Sequence, residues 1–136
     1  MTYEFEVEGK AVGKQRPRVN MNTGMVYTPN KTKDYEFLVQ QSFKLKYPRF
    51  NELTGRVGIE IIAFIKIPKN TSKKSAEKMI AGEISPTKKP DVDNIAKSIL
   101  DAMNNFVFHD DNEVSKITVE KRYSLVDKTY IKVYEY

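Results

Sequence analysis

Apolar and polar positions first alternate at the start of the chain. Tyr3, Phe5 and Val7 are interleaved with Glu4, Glu6 and Glu8. A period of two predicts a half-buried strand. Residues 9–30 carry Gly13, Pro17, Gly24 and Pro29, which predicts a long loop or a loose hairpin around Asn22-Thr23-Gly24. Thr32 is placed to cap a helix running to about Lys46, with Tyr35, Leu38, Val39, Ser42 and Leu45 along one stripe and Pro48 beyond its end. Residues 57–67 are rich in β-branched side chains and almost continuously apolar, the pattern of a central strand covered on both faces. Further on, the pattern predicts a short helix over 72–80, an extended stretch around Pro86 and Pro90, and a second helix over 94–105 with Asp93 as its cap. Two alternating runs follow, one through Ile117, Val119, Lys121 and Tyr123, the other through Thr129, Ile131, Val133 and Glu135. A turn near Asp127-Lys128 would join them as an antiparallel hairpin. Strict β–α alternation is absent. The expected architecture is therefore α+β, a single domain over 1–136 with a mixed sheet of about four or more strands flanked by helices.

Charge changes this picture more than composition does. The chain has no cysteine, which excludes disulfides and thiolate zinc sites. It shows no basic leader and no apolar run near the roughly 20 residues of a membrane span, so a soluble, cytoplasmic protein is expected. The net charge is +5, unevenly distributed. From Gly9 to Lys33 there are six basic residues (Lys10, Lys14, Arg16, Arg18, Lys31 and Lys33) and no acid. From Lys66 to Lys89 there are seven lysines, Lys73, Lys74, Lys88 and Lys89 among them, against two acids. The rest of the chain is net acidic. Such segregation suits a polyanion-binding surface, although two solvated loops kept soluble by lysine would read the same way.

The acidic residues that stand apart are Asp91 and Asp93, two positions apart after Pro90, with Asp110-Asp111 downstream. On a wheel of about 100° per residue, Asp93, Lys97 and Asp101 share one face, and Ile95, Ile99, Ala102, Met103 and Phe106 occupy the opposite one. Leu100 breaks the pattern. Held extended after Pro90, Asp91 can point the same way as Asp93. Hard cations such as Mg²⁺ take oxygen ligands, and clustered carboxylates without a cation raise one another's pKa. Two carboxylates from this motif and one from a distant loop suffice for such a site, with Lys97 one turn on to meet a phosphate oxygen or the attacking water. A plainer reading uses the same residues as helix caps, an i,i+4 ion pair and a polar turn. Spacing alone leaves both open. The single histidine, His109, is assigned no role.

At Asp91-Val92-Asp93-Asn94-Ile95-Ala96-Lys97, Asp101-Ala102 and Asp110-Asp111, the chain resembles the RusA-type Holliday junction resolvases, small endonucleases of phages and prophages. Lys14-Gln15-Arg16-Pro17-Arg18 and Tyr27-Thr28-Pro29 resemble that family's basic entry loop, and the 69–89 segment looks like an insertion. The resemblance implies a homodimer that makes paired, Mg²⁺- or Mn²⁺-dependent nicks in branched DNA, at four-way junctions, during recombination and repair. It places metal ligands at Asp91, Asp93 and Asp111, the active-site lysine at Lys97, and leaves Asp110 as a neighbour. Lys14, Arg16, Arg18, Lys73, Lys74, Lys88 and Lys89 are the expected DNA contacts. The alternatives are a non-catalytic nucleic-acid-binding module and a nuclease for other branched DNA.

Overall fold

The computed structural model describes residues 1–27 and 29–136; Thr28 of the Tyr27-Thr28-Pro29 motif lies outside the described residues. Strand β1 (Thr2–Glu8) buries Tyr3, Phe5 and Val7 and exposes the glutamates between them, as its alternation requires. Its partner is the last strand, β6 (Lys128–Glu135), which runs antiparallel with Phe5 opposite Ile131. Strand β6 also pairs antiparallel with β4 (Val57–Lys66), and β4 pairs parallel with β5 (Val114–Ser124). The sheet order is β1-β6-β4-β5.

The expected β5–β6 hairpin therefore does not form, because β4 lies between the two strands. Strand β4 carries the most apolar stretch of the chain, and an internal place satisfies its backbone on both edges. The connection over 125–127 arches across the end of β4 instead of folding back on β5. Asp127 stitches it down: its carboxylate accepts from the Lys66 amide at 2.8 Å, and its carbonyl accepts from the Gly9 amide at 3.1 Å.

Only one face of the sheet is core. Val57, Ile59, Ile61 and Ala63 of β4 are buried with Ile131 and Val133 of β6. The expectation that β4 is covered on both faces is corrected, since Ile62 and Phe64 on the other face are only half-buried. Their cover comes from neighbouring strands. Lys128 lies 5.4 Å from the centre of the Phe64 ring and pairs with Glu6 at 2.9 Å, while Lys132 pairs with Glu60 at 3.5 Å. The aliphatic stems of such lysines shield apolar surface while their heads stay in water.

Two helices cover the core face. Helix α1 (Asn30–Lys46) starts earlier than the predicted Thr32 cap, with Pro29 in the cap position. Thr32 is instead buried, its hydroxyl accepting from the Gln15 amide at 3.3 Å. The buried stripe is Thr32, Tyr35, Val39 and Phe43, whereas Leu38 and Leu45 of the predicted stripe are exposed. Phe43 is the centre of an aromatic cluster, with Tyr3 and Phe5 rings at 5.3 Å, Phe50 at 4.9 Å and Phe106 at 5.5 Å, all near edge-to-face. Such a ring outcompetes Leu45 for the core because it buries more area and gains the pair geometry. The other cover helix is α3 (Val92–Met103), tied to α1 by the Gln40 side-chain amide, which donates to the Ala102 carbonyl at 2.9 Å.

The remaining elements are peripheral. Helix α2 (Lys73–Ile80) forms where expected, the Ser72 hydroxyl accepting from the Ser75 amide at 3.2 Å, and it packs against β5. Strands β2 (Arg18–Val19) and β3 (Val26–Tyr27) pair around the predicted Asn22-Thr23-Gly24 turn. No helix among the described residues is long and apolar enough to cross a membrane.

Phe43→Ala removes the central ring, and the expected cost is about 3–5 kcal/mol in urea denaturation. A loss below about 1 kcal/mol would show that the cluster is not the pillar of this core.

Candidate functional site

Helix α3 sets the site. Ile95, Ile99, Ala102 and Met103 are buried, so Asp93 and Lys97 face solvent on the opposite side, in agreement with the wheel. The helix starts two residues before the predicted Asn94. Asp91, not Asp93, occupies the cap position, with φ −74° and ψ 151°. Its carbonyl accepts from the Ile95 amide at 3.0 Å, but its carboxylate makes no capping hydrogen bond. Asp93 lies in the first turn. Both carboxylates thus sit at the positive end of the helix, where negative charge is favoured. Leu100, which breaks the apolar pattern, is half-buried and packs against the core.

Asp91 opens onto a groove of about 620 Å³ between the start of α3 and the 10–15 segment. Lys10, Lys14, Lys31 and Lys89 line it with Asp91. The two walls touch closely. The Lys14 amide donates to the Asn94 carbonyl at 2.9 Å, and a Cβ on Gly13 would stand 3.0 Å from that of Pro90 and 3.1 Å from that of Asn94. A side chain there would force the two walls apart by a few tenths of an ångström, and both neighbouring atoms sit next to backbone, so glycine fits the close approach.

The loop preceding Asp91, which contains a cis Lys89-Pro90 bond, is held from the sheet. The Lys121 ammonium, from β5, donates to the Lys88 carbonyl at 2.9 Å and the Pro90 carbonyl at 3.2 Å. Lys121 was legible only as a strand residue, since no local pattern ties it to a loop some thirty positions earlier.

A chain of charges runs along the exposed face of α3. Lys14 pairs with Glu36 at 2.8 Å and Asp101 at 3.0 Å, and Asp101 pairs more loosely with Lys97 at 3.6 Å. Partial burial pulls the Lys14 ammonium down, but its hydrogen bonds to Glu36 and Asp101 outweigh this and leave its pKa above the usual lysine value. Lys14 is therefore committed to carboxylates at the groove wall. The Lys97 side chain stays 57% exposed and is only lightly held.

Asp111 lies elsewhere. Its amide donates at 3.0 Å to the side-chain oxygen of Asn104, the C-terminal cap residue of α3. Asp111 opens a 3₁₀ turn (Asp111–Glu113) capped by Asp110, whose carboxylate accepts from the Asn112 amide at 3.0 Å. That amide, with the adjacent Asp111 carboxyl and His109, holds the Asp110 carboxyl below the usual range. The 12 residues of α3 span about 18 Å at 1.5 Å per residue, so Asp91 and Asp111 are tied to opposite ends of one helix. Among the described residues no three His, Cys, Asp or Glu side chains converge as a metal site. One chain thus places Asp91 and Asp93 at the start of α3, with Lys97 one turn after Asp93, and ties Asp111 to the other end of the helix. Of the expected DNA contacts, Arg16, Arg18, Lys73, Lys74, Lys88 and Lys89 are exposed, the last at the groove. Gly13 and Lys121 were missed because each acts through a long-range contact, and Asn104 because its bond to Asp111 joins the end of α3 to the following 3₁₀ turn.

Lys121→Met should release the loop before α3. Losing hydrogen bonds worth roughly 1.5 kcal/mol corresponds to about tenfold faster amide hydrogen exchange in the first turn of α3. Exchange unchanged there, with Lys121 replaced, contradicts the anchoring role.

The family described as Endodeoxyribonuclease RusA matches residues 8–134. The chain is also similar to the uncharacterized protein YqaN of Bacillus subtilis (strain 168), with 35% identity over 125 residues that cover 89% of this chain and 87% of that protein.

Proposed function

Since the chain belongs to the RusA endodeoxyribonuclease family, we propose that it resolves four-way DNA junctions by paired, divalent-metal-dependent nicks in DNA recombination and repair. The observation that carries this reading is the start of α3, where Asp91, its carboxylate making no capping bond, opens onto a groove lined by four lysines, and Asp93 follows in the first turn.

Two carboxylates outside the helix's own hydrogen bonding meet the demand of Mg²⁺ or Mn²⁺ for hard oxygen donors. When bound there, the ion would polarise a phosphoryl oxygen and activate a water. The chain's own residues do the rest. Lys10, Lys31 and Lys89 hold phosphates on either side of the scissile one, and Lys97, one turn after Asp93, swings from Asp101 to a non-bridging oxygen. Asp101 can release it because Lys14 remains to balance the charge. Lys121 keeps the Asp91 loop from drifting as the backbone enters.

Asp111 is the third ligand in this reading, yet within one chain it is tied to the far end of α3. A C₂ pair solves this if the two α3 helices lie antiparallel, because Asp111 of the partner subunit then meets Asp91 and Asp93 at each end. The same symmetry supplies two equivalent sites, the number that paired nicks require. The homodimer is thus part of the catalytic proposal.

Asp93→Asn is expected to abolish cutting of a synthetic four-way junction in Mg²⁺ while leaving junction binding within a few-fold, since it removes a ligand charge but little shape. Normal cutting by this variant would exclude the assigned site. Salt-sensitive binding without any nicking, in Mg²⁺ or Mn²⁺, would instead favour a non-catalytic binding module, and preference for flaps would favour another branched substrate.

Neutralising Lys73, Lys74, Lys88 and Lys89 together should flatten the dependence of log binding constant on log salt, by up to about 0.9 for each phosphate that is no longer neutralised. An unchanged slope would make the 69–89 segment a solubilising surface.

A further inference from the structure

Helix α3 and its groove leave one conspicuous feature without a role: the β2–β3 hairpin. Its exposed side chains include Val19, Met21, Met25, Val26 and Tyr27, with Met21 92% and Met25 68% exposed. Five exposed apolar side chains on one small element make it a candidate binding surface. The turn that carries it is preformed. The Asn20 side-chain oxygen accepts from the Asn22 amide at 2.9 Å and the Thr23 amide at 3.3 Å, and the Asn20 amide donates to the Met25 carbonyl at 2.8 Å. Gly24 closes the turn at φ +71°, in the left-handed region that favours glycine. The methionines are therefore presented on a hydrogen-bonded turn.

Charge selects the occupant. Arg16 and Arg18 flank the apolar side chains, and the chain from Gly9 to Lys33 holds six basic residues and no acid. A second copy of this surface would bring like charges together. A polyanion with apolar faces to offer would not, and nucleic acid combines phosphates with bases that can be unstacked. The same basic segment continues directly into the groove through Lys10 and Lys14.

We propose that the β2–β3 hairpin is a wedge that enters the branch point of the DNA, its methionines packing on bases there while Arg16 and Arg18 hold the adjoining phosphates. This rests on the reading of branched DNA as the substrate. Apolar side chains, Met among them, serve this way where proteins open a base step, and the polarisable thioether adapts to any base face. The hairpin would thus distort the junction while the start of α3 cuts it.

The test uses a four-way junction carrying 2-aminopurine at the branch point, with no metal added. Wild-type protein should raise the fluorescence on binding, as the base unstacks. Met21→Ser with Met25→Ser should lose most of that rise and bind the junction about tenfold more weakly, with duplex affinity, salt slope and thermal melting unchanged. Met21→Leu with Met25→Leu should restore the rise. A serine variant that matches wild type in fluorescence and junction affinity overturns the wedge, as does one whose sedimentation shifts to a smaller species, which would make the hairpin a contact between copies. If wild type cuts junctions in Mg²⁺ and the serine variant matches it in the fluorescence assay, only the wedge falls. If wild type shows no preference for junctions over duplex, the junction reading falls and takes the wedge with it.

Discussion

Everything at the site depends on how α3 is seated. Ile95, Ile99, Ala102 and Met103 are buried together, and each larger side chain contributes about 1.5–3 kcal/mol by leaving water. That burial fixes the rotation of the helix about its axis. With the axis fixed, Asp93 and Lys97 must face outward, and Asp91 must stand at the amino end beside the basic segment. Lys121 from the sheet, the close approach of Gly13 and the Lys14–Asp101 pair then set the height of the helix end against the groove. None of these polar contacts would be worth much alone at the surface. They matter because the apolar face has already removed the alternatives.

Much of this was legible locally. The alternation of β1 and the polar stripe of α3 follow from two periods, 2 and 3.6, that a chain displays without its partners. What was illegible is long-range. Whether β5 pairs with β6 or with β4 is decided by competition for the internal position, which β4 wins through its apolar content. The stripe of α1 was ambiguous because Leu38, Phe43 and Leu45 are all apolar, and only the ring cluster around Phe43 shows which one the core selects. Asp91 and Asp93 are both competent caps, and the backbone puts Asp91 in the cap position and Asp93 in the first turn. The roles of Lys121 and Asn104 have no local signature.

The same geometry turns a weakness of the isolated chain into a reason for pairing. The motif places two carboxylates at one end of a helix and anchors a third beyond the other end, and among the described residues no three such side chains converge. Two antiparallel copies of that helix can complete two. In the proposed dimer, symmetry and chemistry are the same requirement: paired nicks need two sites, and each site needs both chains.

That dependence is open to a direct measurement. Asp93→Asn and Asp111→Asn chains, each inactive alone, are co-produced and the mixed dimer is isolated and given a four-way junction with Mg²⁺. If Asp111 serves the partner subunit's Asp91 and Asp93, one site of the mixed dimer carries both changes and the other carries neither, so nicking returns at one strand per junction. If each chain builds its own site, both sites are damaged and the mixed dimer stays as inactive as its parents, which would contradict the shared site.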